Sequence, residues 1–177
     1  MVARVSIVVR TKDRPYFLSR ALEDVLAQSF ADWHVVVVND GGDSSALRKV
    51  VESYADRLGD RITVVATEAP GGRCAAANLG MRTATGEFVA LHDDDDRWAP
   101  GFLEQTVAWL DAHTEDGGVM VTTEILFEEK RGDQFVRVGS APFWAGQTFV
   151  TYSRLLSVNR GVPISFLYRR ALHDEVG

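Results

Sequence analysis

Short apolar runs alternate with longer amphipathic ones along the first two thirds of the chain. Val5 to Val9 is nearly continuous apolar and β-branched, which predicts a strand covered on both faces. Pro15 stands where a helix favours proline as its first residue. Phe17, Leu18, Ala21, Leu22, Val25 and Leu26 then recur at helical spacing. His34 to Val38 predicts a second buried strand, closed by the turn Asn39-Asp40-Gly41-Gly42. Ser44 or Ser45 is expected to cap a helix carrying Leu47, Val50, Val51, Tyr54 and Leu58. Ile62 to Val65 predicts a third strand, Pro70-Gly71-Gly72 a break, and Ala75 to Thr83 a short helix of small residues. Glu87 to Leu91 predicts a fourth strand, and Phe102, Leu103, Val107, Trp109 and Leu110 mark a helix after Trp98-Ala99-Pro100.

Residues 1–113 therefore read β-α-β-α-β-α-β-α, which implies a mostly parallel sheet with right-handed crossovers and helices flanking it. Residues 114–177 follow a different grammar. Val119 to Phe127, a turn at Lys130 to Asp133, and Gln134 to Val138 predict a β-hairpin. Residues 139–150 are aromatic and irregular. Tyr152 to Val158 is expected to be helical, Pro163 to Tyr168 a strand, and Arg169 to Val176 a helix. No internal repeat or low-complexity linker interrupts the chain.

A length of 177 residues is that of one domain, large enough to bury a core without disulfides. Apolar content of 46% and charged content of 25% are those of a globular protein and argue against disorder. A net charge of -6 disfavours generic nucleic-acid binding. One cysteine, Cys74, excludes an intrachain disulfide and a cysteine-based metal site. Beside Ala75, Ala76 and Ala77 it reads as a small buried side chain. It fits a reducing compartment, so the expected location is cytoplasmic, with a peripheral place at the cytoplasmic membrane face compatible. No apolar run has the length of a membrane span, and with a first strand expected from Val5 no signal peptide is expected. The C-terminus is expected to be incomplete.

Open α/β sheets bind ligands beyond the carboxyl ends of their strands, at the point where strand order reverses. Arg10, Thr11, Lys12, Asp13 and Arg14 stand there after the first strand. Asn39 and Asp40 follow the second, Gly71, Gly72 and Arg73 the third, and Asp93 to Asp96 the fourth. Cations beside an acid cluster suit a phosphorylated ligand bridged by a metal. Adjacent carboxylates repel unless a cation compensates, and an all-oxygen set suits Mg2+ or Mn2+. The bland alternative is a solvated acidic turn that helps start the next helix. His92 is expected to alternate away from the acids. Asp40 could accept hydrogen bonds from a ribose or a base, or simply form a turn beside its glycines. At least one of Arg10, Lys12 and Arg73 is expected to touch phosphate. The loop TKDRP after the first strand lacks the glycines of a dinucleotide fingerprint or a P-loop, and no G-x-S-x-G elbow is present.

The segments VSIVVRTKDRPYFLSRALEDVLAQSF, HVVVVNDGGD and GGRCAAANLGMRTATGEFVALHDDDDRW, in this order and spacing, resemble the family 2 glycosyltransferases of GT-A fold. The resemblance covers nearly the whole chain. It implies an inverting, metal-dependent enzyme that moves a sugar from a nucleoside-diphosphate sugar, of UDP or dTDP type, to a hydroxyl of a saccharide or lipid-linked saccharide, as in polysaccharide biosynthesis. Residues 1–113 would form the nucleotide-sugar-binding half and residues 114–177 part of the acceptor side. Arg10, Thr11, Lys12, Asp13, Asp40, Arg73, Asn78, Asp93 and Asp94 would bind nucleotide, Asp40 through the N3–H of a pyrimidine. Asp93 and Asp95 would be the acids of the DxD motif, with Asp95 on the metal (Mg2+ or Mn2+), Asp93 toward ribose or sugar, and Asp96 assisting.

This chain departs from the family at Arg10, commonly proline, at Lys12, often tyrosine, and at Ala77, often arginine; Arg73 could replace that last cation. YRRALHDEVG resembles the lead-in to the family's catalytic base, which is therefore expected beyond Gly177, with Asp174 and Glu175 solvated. Phe143, Trp144, Phe149 and Tyr152 could form an acceptor platform, rimmed by Asn159 to Pro163, or could be ordinary packing. A nucleotide-sugar-binding module without turnover and a sugar nucleotidyltransferase are the competing readings. The second usually carries a glycine-rich basic loop after the first strand, which is lacking here.

Overall fold

The computed structural model describes residues 2–146, 150–158 and 161–176. Four strands form the parallel part of the main sheet: β1 (Val5–Thr11), β2 (Trp33–Asn39), β3 (Ile62–Ala66) and β4 (Phe88–Asp93). Between them lie α1 (Pro15–Leu26), α2 (Ser44–Ser53), the single turn α3 (Ala55–Leu58) and α4 (Gly72–Thr83). After α5 (Phe102–Ala112), the short strand β5 (Gly118–Met120) and β8 (Phe166–Arg169) complete a six-stranded sheet of order β3-β2-β1-β4-β8-β5. β8 runs antiparallel to both of its neighbours. β6 (Glu124–Arg131) and β7 (Gln134–Pro142) form a separate antiparallel hairpin. The short helix α6 (Tyr152–Leu155) and the terminal helix α7 (Arg170–Val176) complete the chain.

The β-branched runs behave as fully covered strands do. Val5, Ile7, Val9, Trp33, Val35, Val37, Phe88 and Ala90 face one core with Leu18, Leu22, Leu103 and Leu110. Val8, Val36, Val38 and Val89 face a smaller core with Ala76 and Met81 of α4. The small residues of α4 are explained by this closeness. A Cβ on Gly80 would overlap the Val8 side chain, so the helix lies directly on β1.

The structure corrects several boundaries. Asp43, not Ser44 or Ser45, caps α2, accepting from the amides of Ser45 (2.8 Å) and Ala46 (3.3 Å). The expected single helix through Leu58 breaks at Tyr54. Helix α4 starts at Gly72, ahead of the expected Ala75. The run Val119 to Phe127 divides: its start pairs with β8 in the main sheet and its end pairs with β7. Pro163–Ser165 is a 3-10 turn, and only Phe166–Arg169 continues as a strand. The helix expected over Tyr152 to Val158 is the single turn α6. Cys74 is exposed rather than buried, since α4 turns its Ala76 and Gly80 to the sheet. Asp174 and Glu175 are exposed, as expected, and Asp174 also pairs with Arg170 at 2.7 Å across one helical turn. Among the described residues no helix is long and apolar enough to cross a membrane.

The hairpin is docked onto the start of α1. Phe135 packs against Tyr16 and Phe17 with ring centroids 5.5 and 5.2 Å apart, and its amide donates to the Tyr16 hydroxyl at 3.0 Å. Arg20 makes a two-pronged contact with Glu128, at 2.9 and 2.6 Å.

Candidate functional site

Strand order reverses between β1 and β4, and the parallel register places Arg10 directly beside Asp93. The acid run thus begins on the last residue of β4, at the mouth beyond the carboxyl ends of the strands. Arg10 donates through Nε to Asp93 Oδ1 at 2.7 Å, makes a second, shorter contact with the same oxygen through Nη2, and donates through Nη1 to the Arg73 carbonyl at 2.8 Å. All three nitrogens of the Arg10 guanidinium are thus engaged with protein.

Thr11, buried at the end of β1, donates its hydroxyl to Asp94 Oδ2 at 2.7 Å. Arg14 reaches from the same loop to Asp94 Oδ1 at 3.1 Å and to Asp95 Oδ2 at 2.7 Å, both through Nη1. Asp94 therefore turns inward, where burial pushes its carboxyl up and the Thr11 hydroxyl and Arg14 only partly offset that. Asp96 is half-buried, and its carboxylate makes no hydrogen bond or ion pair among the described residues. Burial and then repulsion from Asp93 and Asp95 push it up to about 6. The hydrogen bond to Asp95 is the largest cause that raises the Arg14 guanidinium.

The neighbouring loops are tied to this cluster. Asp40 accepts from the amides of Gly71 (2.8 Å) and Gly72 (3.0 Å) and from the Thr67 hydroxyl (3.3 Å), so it staples the loop that opens α4. The Asp40 side chain therefore binds the loop before α4 rather than closing the turn at Gly41 and Gly42. Those glycines are served by Asn39, which accepts from the Gly42 amide and donates to its carbonyl, both at 2.9 Å. Asp13 takes a left-handed backbone, φ 53°, and accepts from the Asp43 amide at 2.7 Å. Lys12, Arg73 and Asn78 are exposed and make no side-chain hydrogen bond or ion pair with the described residues.

Beneath the acids lies a second network that sequence reading did not find. Asp24 of α1 is buried and accepts from Arg97 Nε and Nη2, each at 2.7 Å, and from the Trp98 amide at 3.0 Å. His92 points to this side, away from the acids as expected. Its ring lies edge-on to Trp98 at 4.5 Å, its Nδ1 is 2.8 Å from the Asp93 carbonyl, and its Nε2 is 3.9 Å from Asp24. Nothing local in sequence marks a 73-residue link between α1 and the acid loop. Arg14 was visible in its loop but carried no distinguishing signal. Of the aromatic stretch, Phe143 and Trp144 meet edge to face at 5.7 Å. Phe149, Asn159 and Arg160 lie outside the described residues.

The model for glycosyl transferase family 2 matches residues 6–177. The chain belongs to that family. As a family 2 member it is 31% identical to the uncharacterised glycosyltransferase YwdF of Bacillus subtilis (strain 168), over 98% of this chain and 61% of YwdF. Its fold matches that of S. aureus TarS 1-349 in complex with UDP-GlcNAc, with TM-score 0.69, 25% identity, and coverage of 97% of this chain and 47% of that one. The mannosyltransferase PcManGT from Pyrobaculum calidifontis, in complex with GDP-Man and Mn2+, shares the fold with TM-score 0.68 and 23% identity, over 100% of this chain and 47% of that chain. The family's GT-A architecture is thus present: a mostly parallel sheet with helices on both faces and a separate hairpin. The chain spans 61% of the curated relative and about half of each crystallised one.

Whether the acid cluster suits a divalent cation is answered by its donor chemistry. Among the described residues no three histidine, cysteine or acidic side chains converge as a ready-made cage. The donors are nonetheless all oxygen, and the Asp96 carboxylate makes no hydrogen bond or ion pair among the described residues. A magnesium-type ion commonly takes only one or two protein carboxylates and completes its shell with substrate phosphates and water. The residues fit such an ion.

Proposed function

We propose that the chain is the donor-binding part of an inverting, metal-dependent glycosyltransferase that passes a sugar from a UDP- or dTDP-linked donor to a hydroxyl of a saccharide or lipid-linked saccharide. The observation that carries this reading is the run Asp93 to Asp96 at the end of β4, beside the end of β1 where strand order reverses. The neighbour bound to UDP-GlcNAc supports the donor class, and the one bound to GDP-Man and Mn2+ is consistent with a metal.

In this reading Asp95 and Asp93 hold Mg2+ or Mn2+. When bound, the ion neutralises charge on the departing diphosphate. The other tasks fall to the chain itself. Lys12 and Arg73, exposed and without a side-chain hydrogen bond or ion pair among the described residues, would meet diphosphate charge at the mouth. Asp40 keeps lone pairs beyond its three bonds, enough to accept from a base N3–H. Asp13 and Asn78 line the mouth, and Arg10, Thr11 and Asp94 hold its frame. Residues 1–113 carry the donor side, and residues 114–177 contribute to the acceptor side with Phe143 and Trp144. No base is assigned among the described residues, and we place the protein in the cytoplasm.

Calorimetry with UDP, dTDP and GDP, each with and without Mn2+, tests the reading. A pyrimidine diphosphate should bind more tightly than GDP and only when Mn2+ is present. Equal, metal-independent indifference to all three would remove the donor site. Metal-dependent binding without sugar transfer would favour the binding module.

A further inference from the structure

The acid cluster already holds two cations of its own, and the two are held differently. Arg10 is 11% exposed, and its three guanidinium nitrogens are held by two acceptors, Asp93 Oδ1 and the Arg73 carbonyl. Arg14 is 48% exposed and reaches Asp94 and Asp95 through a single nitrogen, Nη1. Its remaining donors make no hydrogen bond with the described residues. It projects from the loop between β1 and α1, directly before Pro15, so its stem is anchored while its head can swing. Asp94 would not be abandoned if Arg14 left, because the buried Thr11 hydroxyl still donates to its other oxygen. Asp95, by contrast, is 51% exposed and has Arg14 as its one partner among the described residues.

Four carboxylates facing two guanidiniums leave an excess of two negative charges when all are ionised, the charge of one divalent ion. Arg14 occupies one oxygen of Asp95, at 2.7 Å.

We propose that Arg14 is a resident placeholder cation, which holds Asp95 in the metal-free protein and is displaced onto the donor's diphosphate when the divalent ion takes its place. This rests on the donor-site reading above and adds a moving part to it. Arg14 competes with the metal for Asp95 when no nucleotide is present, and assists the diphosphate when one is. Its removal must therefore act in opposite directions on the two ligands. Loss of a merely structural residue would weaken both.

The test is calorimetry on the wild type, Arg14→Met and Arg14→Lys, titrated first with Mn2+ alone and then with UDP in saturating Mn2+. Circular dichroism melts verify that each variant is folded. Arg14→Met should bind Mn2+ alone roughly three- to fivefold more tightly, the size expected for losing a half-exposed competing ion pair. It should bind UDP with Mn2+ roughly tenfold more weakly, the low end for a charge-assisted phosphate contact. Arg14→Lys, which keeps the charge on a compact head, should lie between the wild type and Arg14→Met in both titrations. A wild type that binds Mn2+ and UDP, with an Arg14→Met variant that weakens both or changes neither, overturns the placeholder role and leaves the donor site standing. A wild type that binds neither overturns the donor site and the placeholder role together.

Discussion

Asp96 offers a sharp test of the electrostatics at the mouth, because replacing it should stabilise the protein. It is half-buried without a partner, among like charges, and its carboxyl is pushed from an ordinary 3.8 up to about 6. Between those two values the folded state keeps a proton that the unfolded chain has released. The unfolded chain then binds fewer protons, so stability falls as pH rises through this window and stays reduced above it. The displacement corresponds to about 3 kcal/mol at 1.36 kcal/mol per pH unit. Solvent screening of a half-exposed group reduces that to about 1–2 kcal/mol. Asp96→Asn imitates the protonated form at every pH. Urea unfolding in a chelator, from about pH 4.5 to about pH 8, should show the variant gaining on the wild type as pH rises to about 6 and keeping a lead of about 1–2 kcal/mol beyond. Added Mn2+ should then stabilise the wild type more than the variant, since it supplies the missing positive charge. An Asp96→Asn protein less stable than the wild type at pH 8, or a gap independent of pH, would refute the reasoning.

Other substitutions probe the frame beneath the site. Asp24→Ala strands the Trp98 amide and frees Arg97, and should cost about 2–4 kcal/mol in urea unfolding, with Arg97→Ala largely non-additive to it in a double-mutant cycle. Gly80→Ala forces a methyl into Val8 and should cost about 1–3 kcal/mol, seen as a lowered melting temperature. Arg20→Met removes the two-pronged contact with Glu128, and should raise amide exchange in β6 and β7 while leaving β1 to β4 protected.

The parallel core was legible because a strand covered on both faces must be apolar throughout, and Val5 to Val9 and His34 to Val38 are nearly so. The acid run was legible because a buried strand that ends in four carboxylates is rare without a reason. What escaped was decided by contacts distant in sequence. Val119 to Phe127 reads as one strand because nothing in its composition reveals that β8 captures its start and β7 its end. Ser44 and Ser45 looked like caps, yet Asp43 stands one residue earlier with an acceptor that reaches two amides. Arg10 is legible as a cation after β1, but its partner is not, because register alone places Asp93 beside it. Asp24 carries no signal of its own in the sequence; it is buried where Arg97 and the Trp98 amide, 73 and 74 residues further along the chain, reach it.

The central claim is that a divalent ion on the aspartates after β4 grips a donor's diphosphate. Anomalous scattering from crystals soaked in Mn2+ and UDP tests it most directly. The account predicts one strong Mn2+ peak in contact with Asp95 and with both phosphates, with the Arg14 head group withdrawn from that carboxylate. Ordered UDP with no peak at Asp95, or a peak seated elsewhere on the protein, would contradict it.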